Sequence, residues 1–267
     1  MLKLRNIIML ATLLGVVLMG GCDNDSHPAS GVAPPRELLL YCGTTMARAM
    51  RVIADQFENR EHCVVKIISG GSGYLYRGIK INRVGDLYLP GSSDYIDRCR
   101  QEQLLGKTAV IGVNRAVLLV AKGNPLHISA DLHNFINGRY LTLLADAESG
   151  SIGEEAKSIL GRFGLYEQAV RQVLYLSVDS SDLVNEIAAG RADLSLNWRG
   201  AVYAFGAHTA VETIALPPDV AKAHLLSVAV LKYSIDPELA GRFVDYAAST
   251  AGRQVLRRFG LWEDGDE

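Results

Sequence analysis

Near the front of this chain an apolar strand twice stops at glycine, meets a hydroxyl residue and turns into a helix. The first junction runs from Leu38-Leu39-Leu40-Tyr41-Cys42 through Gly43-Thr44-Thr45 into Met46-Ala47-Arg48-Ala49-Met50. The second runs from Val64-Val65-Lys66-Ile67-Ile68-Ser69 through Gly70-Gly71-Ser72-Gly73 into Tyr74-Leu75-Tyr76-Arg77. A strand that passes at once into a helix and then into another strand requires a crossover, so parallel βα units are expected. The junctions also carry chemistry. A helix start leaves backbone N–H groups unpaired at the positive end of the dipole, where an anion binds without a basic side chain. Two such starts in neighbouring units can converge on one oxyanion. Thr44, Thr45 and Ser72 are therefore candidate ligand contacts, with the hydroxyls expected at N-cap positions. Gly73, like Gly70 and Gly71, would let an anion approach the backbone. Capping alone, worth about 1 kcal/mol per helix, is the competing role for Thr45 and Ser72, and one hydroxyl can do both.

The same alternation continues down the chain. Met46, Met50, Ile53 and Phe57 form a core-facing stripe at helical spacing. Strands are expected at 63–68, 86–90, 109–122, 140–145, 173–178, 193–197 and 225–232, with helices between them and a final helix pair over 237–259. The fold class is α/β, in two lobes that exchange the chain near Val120 and near Ser227. Lobe 1 would comprise 37–120 plus 227–267, and lobe 2 would comprise 121–226. Ligand clefts in such sheets lie beyond the carboxyl ends of the strands, where both hydroxyl-bearing turns sit.

Residues 1–22 have the form of a targeting segment. Lys3 and Arg5 precede an apolar run from Ile7 to Leu18, too short for a membrane span of roughly 20 residues. Met19-Gly20-Gly21-Cys22 resembles the bacterial lipobox, which implies cleavage before Cys22 and lipid attachment to its sulfur. Asp23-Asn24 resembles an inner-membrane retention signal. Residues 23–36 are polar and rich in Pro, Gly and Ser, as expected of a tether.

The 27 basic and 29 acidic residues become 25 against 29 without Lys3 and Arg5, a net charge of −4. With no long basic run, nucleic acid is not an expected partner. Three cysteines remain after Cys22: Cys42, Cys63 and Cys99. Outside the cytoplasm they suggest one disulfide and a free thiol, or three buried thiols. Cys63–Cys99 is the favoured pair, because Cys63 begins a strand and Cys99 lies late on a returning helix. No C-x-x-C occurs and the six histidines are scattered, so neither a metal site nor a cofactor is expected.

Several stretches, in order, resemble the molybdate/tungstate-binding group of periplasmic substrate-binding proteins of ABC importers. Ser72-Gly73-Tyr74-Leu75-Tyr76-Arg77 resembles that family's S-G-T-L-Y-R turn, and Gly85-Asp86-Leu87-Tyr88-Leu89 its P-A-D-V-F strand. Ala189-Gly190-Arg191-Ala192-Asp193 resembles its G-E-A-D segment, and the run from Leu256 to Leu261 its terminal K-Y-G-F. The resemblance covers roughly 37–262. It implies a type II periplasmic-binding-protein fold, with a tetrahedral oxyanion held between the lobes by hydroxyls and backbone amides.

By position, Thr45 and Ser72 stand for the family's two serines, the amide of Ile152 is the third contact, and Asp179 or Ser180 is the fourth. Asn197 stands where the family has a tyrosine, and Arg199 follows it. Both Asp179 and Asn197 depart from the family pattern. Asn197 is shorter than tyrosine, though its amide still donates. Asp179 beside a dianion is repulsive unless it accepts a ligand proton, and Asp179-Ser180-Ser181-Asp182 also reads as a helix cap. Arg199 suits either the anion or a surface carboxylate.

The expected function is oxyanion capture, molybdate or tungstate first, by a monomer lipid-anchored on the periplasmic side of the inner membrane and docking on an ABC permease. The alternatives are phosphate, a phosphonate or a small organic acid, or a sensor subunit. Gly71-Ser72-Gly73 falls short of a G-x-S-x-G nucleophile elbow because position 74 is tyrosine, so no enzyme is expected.

Overall fold

The computed structural model describes residues 35–262. The targeting segment, Cys22 and most of the tether lie outside them. Strand β1 (Arg36–Gly43) leads through a 3₁₀ turn (Thr44–Met46) into α1 (Ala47–Glu61), and β2 (Cys63–Gly70) leads into α2 (Ser72–Asn82). Both strand-to-helix junctions are therefore present. Met46, Met50, Ile53 and Phe57 are buried at 0–1% exposure, so the helical stripe faces the core. Then follow β3 (Leu87–Leu89), α3 (Ser93–Gln101) and β4 (Leu105–Ala121).

The middle of the chain forms β5 (Thr142–Ala145), α4 (Ser151–Arg162), α5 (Tyr166–Gln172), β6 (Leu176–Ser177), α6 (Ser180–Ala188), β7 (Leu194–Trp198), α7 (Ala201–Ala204) and β8 (Val211–Ala215). It closes with β9 (Ala223–Leu231), α8 (Pro237–Ala248) and α9 (Thr250–Arg258). Three of these elements, α5, α7 and β8, have no counterpart in the sequence expectation. The strand expected over 173–178 shrinks to the two residues of β6.

The strand order is β2-β1-β3-β9-β4-β7-β5-β6, with β8 also on β4. The β1–β2, β1–β3, β5–β6 and β5–β7 pairs are parallel, as strand–helix alternation demands. Pairs made by β4 and β9 are antiparallel, so the sheet is mixed. Strand β4 explains the architecture. Its residues up to Arg115 pair with β9, while Ala116 onward pairs with β7. One long strand thus serves two hydrophobic cores. Residues of 116–221 build one core. Residues of 38–111 and 226–262 build the two clusters on the other side. Among the described residues no helix is long and apolar enough to cross a membrane.

Cys42, Cys63 and Cys99 are all free and buried. The expected Cys63–Cys99 bridge is not formed, because the two residues pack into different clusters. Burial pushes the Cys42 thiol well up and that of Cys99 up to about 12, so both stay protonated and inert.

Candidate functional site

Four helix starts meet between the two cores. They are the 3₁₀ turn at Thr44, α2 at Ser72, α4 at Ser151 and α6 at Ser180. The cavity between them is lined by Thr44, Thr45, Ser72, Ser149, Ser151, Ile152, Asp179, Ser180 and Trp198, together with Gly43, Gly70, Gly71, Gly91, Gly150, Met46 and Val178. Its volume is about 310 Å³ with the part open to solvent included. The lining holds no lysine and no arginine, and Asp179 is its one charged side chain.

The capping expectation is corrected at both front junctions. The N-cap residues are Gly43 and Gly71, and neither Thr44 nor Ser72 caps its helix through its side chain. The hydroxyls are thereby left for other partners. Ser72 Oγ accepts from the Gly91 amide at 2.9 Å and lies 3.4 Å from Ser151 Oγ. Tyr88 donates its hydroxyl to the Ser72 carbonyl at 2.9 Å, and burial raises its pKa so that it keeps that proton. Trp198 Nε1 donates to Ser151 Oγ at 3.2 Å. Thr44 Oγ1 is buried and has no hydrogen-bond partner among the described residues. A buried hydroxyl in that condition costs about 1–3 kcal/mol unless something else satisfies it.

Two glycines let the sides close. A Cβ on Gly71 would stand 2.5 Å from the Ser149 carbonyl oxygen, and one on Gly91 would stand 2.4 Å from Ser151 Oγ. The first contact is with backbone and leaves no room for a side chain, and the second would push the Ser151 hydroxyl out of its place.

Of the residues expected from sequence, Thr44, Thr45, Ser72, Ile152, Asp179 and Ser180 come together at this cavity. Asp179 is the N-cap of α6, its Oδ1 accepting from the Ser181 amide (2.8 Å), the Ser181 hydroxyl (2.6 Å) and the Asp182 amide (3.1 Å). Gly73, Asn197 and Arg199 are not in the lining. Asn197 is wholly buried. Its amide donates to the Ser180 carbonyl (2.9 Å) and its oxygen accepts from the Trp198 amide (2.8 Å), so it ties β7 to the start of α6. Arg199 Nε donates to the Gly260 carbonyl at 3.2 Å. Gly73 instead allows α2 to approach Glu148 and Ser149.

Ser149, Ser151 and Trp198 are lining residues with polar side chains that sequence reasoning did not assign. The Gly150-Ser151-Ile152-Gly153 loop pointed to the Ile152 amide, yet the hydroxyl beside it faces the same space. Among the described residues, no group of three His, Cys, Asp or Glu side chains is placed to hold a metal ion.

Polar contacts bridge the two cores beside the cavity. Arg98 grips Glu154 with both terminal nitrogens at 3.0 Å, and Tyr95 donates to the same carboxylate at 2.9 Å. Burial, reinforced by the Glu154 charge, raises the Tyr95 pKa, which keeps it a donor. Arg77 holds the Glu148 carbonyl with two nitrogens at 3.2 Å, and His224 Nε2 lies 2.9 Å from Glu155 Oε2.

Residues 38–261 match the model of the bacterial extracellular solute-binding proteins. The chain belongs to that family. It is 25% identical over 252 residues to the molybdate-binding protein ModA of Mycobacterium tuberculosis, covering 92% of each chain. Its fold is similar to the periplasmic molybdate-binding protein of Azotobacter vinelandii, with a TM-score of 0.71, 15% identity and coverage of 85% of this chain and 99% of the other. It is similar also to the sulfate-binding protein SubI of M. tuberculosis, with a TM-score of 0.74, 14% identity and coverage of 85% and 86%. This solute-binding protein therefore has the two-lobed α/β architecture of the type II periplasmic binding proteins, with the cleft between the lobes.

Proposed function

We propose that this solute-binding protein captures a small tetrahedral oxyanion, molybdate or tungstate first, and delivers it to an ABC permease. In this reading it is a lipoprotein, anchored through Cys22 on the periplasmic side of the inner membrane and acting as a monomer. The two lobes, 37–120 plus 227–267 and 121–226, correspond in the main to the two cores on either side of β4, and they close over the ligand.

One observation carries the reading. Thr44 Oγ1 is buried without a partner among the described residues, in a cavity where four helix starts and several hydroxyls converge with no cation in the lining. Helix starts supply N–H donors and a positive dipole end, and this suits a compact anion. Each hydrogen bond to a charged ligand contributes roughly 1.5–3 kcal/mol. Five or six of them exceed the cost of closure and support micromolar or tighter binding.

Asp179 supports a second reading, since a carboxylate in the lining suits a protonated anion such as hydrogen phosphate. Its role as the α6 cap favours the first. The test is calorimetric titration of the chain from Asp23 onward, which contains every described residue, with molybdate, tungstate, sulfate and phosphate. Molybdate or tungstate heat without phosphate heat is expected, and Asp179→Asn should leave it unchanged or stronger. Phosphate heat abolished by Asp179→Asn selects the second reading. Binding of none of the four overturns the oxyanion function.

A further inference from the structure

We propose that Ser151 donates its hydroxyl proton to the ligand and that Trp198 is the positioning residue that makes it a donor. The proposal rests on the oxyanion reading and adds to it two residues and a rule of selectivity. A serine hydroxyl has one proton and two lone pairs, and an indole N–H only donates. Trp198 Nε1, 3.2 Å away, therefore occupies a lone pair of Ser151 Oγ. The Gly91 amide, 2.9 Å away, occupies a lone pair of Ser72 Oγ in the same manner.

The two hydroxyls face each other across the cleft at 3.4 Å, long for an O–H···O bond. Whichever of them donates across that gap, the other has both lone pairs filled and one proton left over, which it can only direct at the cavity. An anion entering between them exchanges one weak contact for two charge-assisted bonds, with each serine still held from behind. Trp198 is 1% exposed and Ser151 is 7% exposed, so the bond between them is buried. The pair consequently meets a ligand with protons and selects an anion that only accepts. Trp198 is itself fixed by edge contact with His224, ring centroids 5.5 Å apart at 75°.

The experiment is a double-mutant cycle on the chain from Asp23 onward, titrated with molybdate and with sulfate. Ser151→Ala should weaken binding of whichever anion wild type takes by tenfold or more, and Trp198→Phe by about tenfold. The double variant should be no weaker than Ser151→Ala, since the indole acts through that hydroxyl. A spectroscopic readout guards against simple loss of packing. The chain has two tryptophans, hence two indole N–H resonances. In ligand-free Ser151→Ala the Trp198 signal should move as it loses its acceptor, while that of Trp262 stays and certifies the fold.

Wild type that binds either anion, with both single variants unchanged or with fully additive losses, overturns the proposal and leaves the oxyanion site standing. An unmoved Trp198 signal does the same. Wild type that binds neither anion overturns the proposal, and if tungstate and phosphate give no heat either, the site reading falls with it.

Discussion

Removal of Glu154 should weaken ligand binding about 30-fold although this residue is not in the cavity lining. Its carboxylate sits in the first turn of α4, on the 116–221 core, and is gripped from α3, on the other core, by Arg98 and Tyr95. These contacts exist only while the lobes are together. The Arg98–Glu154 pair is partly solvated, with side-chain exposures of 45% and 27%, so it contributes about 0.5 kcal/mol. The Tyr95 hydroxyl is buried, and its bond to a charged acceptor contributes about 1.5 kcal/mol. Glu154→Ala thus costs the closed form about 2 kcal/mol relative to the open form. For a protein that is mostly open without ligand, this appears in full as a Kd raised about 30-fold. Arg98→Gln, which removes the exposed pair alone, should raise Kd only about twofold to threefold. Calorimetry gives Kd, and stopped-flow Trp198 fluorescence should place the loss in the dissociation rate, since closure governs escape. Glu154→Ala binding within twofold of wild type, with the fold intact, would refute the idea that this contact holds the closed form.

Thr44→Val removes a buried hydroxyl that has no partner among the described residues. It should leave the ligand-free melting temperature equal or higher while weakening anion binding tenfold or more, measured by melting with and without anion. His224 has its pKa raised above 6.5: burial opposes the charge, but the Glu155 carboxylate and the charge of Asp94 more than offset it. The folded state therefore holds this proton more tightly, and its stabilisation is complete below pH 6.5 and lost as pH rises through the raised value. The melting advantage of wild type over His224→Gln should accordingly shrink from pH 6.5 upward, and an advantage that grows instead would contradict the pairing. Thiol titration of the chain from Asp23 onward should find no reactive cysteine in the native protein and three after denaturation, with no reductant required.

Much of this protein is legible in its sequence where the cause is local. Apolar runs at strand length, glycine at the turn and a helical stripe such as Met46-Met50-Ile53-Phe57 depend on backbone sterics and side-chain period, so the βα units follow from them. The same holds for the Thr44, Ser72, Ile152 and Ser180 turns, because a helix start exposes its N–H groups whatever surrounds it. Short elements escaped. Four-residue α7 and two-residue β6 are held by their neighbours rather than by any periodicity of their own.

Position along the chain marked Asn197 for the cleft, but the tertiary structure turned its amide to the Ser180 carbonyl and brought its neighbour Trp198 to the cavity instead. Alternation along a strand places successive side chains on opposite faces, and only the packed sheet decides which face the ligand shares. The meeting of Ser72 with Ser151, and of Arg98 with Glu154, has no local cause. It is set by how the two cores stack across β4 and β9, through long-range packing that no window of the sequence contains. The sequence by itself determined the parts that can hold an anion; the tertiary structure decided which hydroxyls face one another and which residues hold them there.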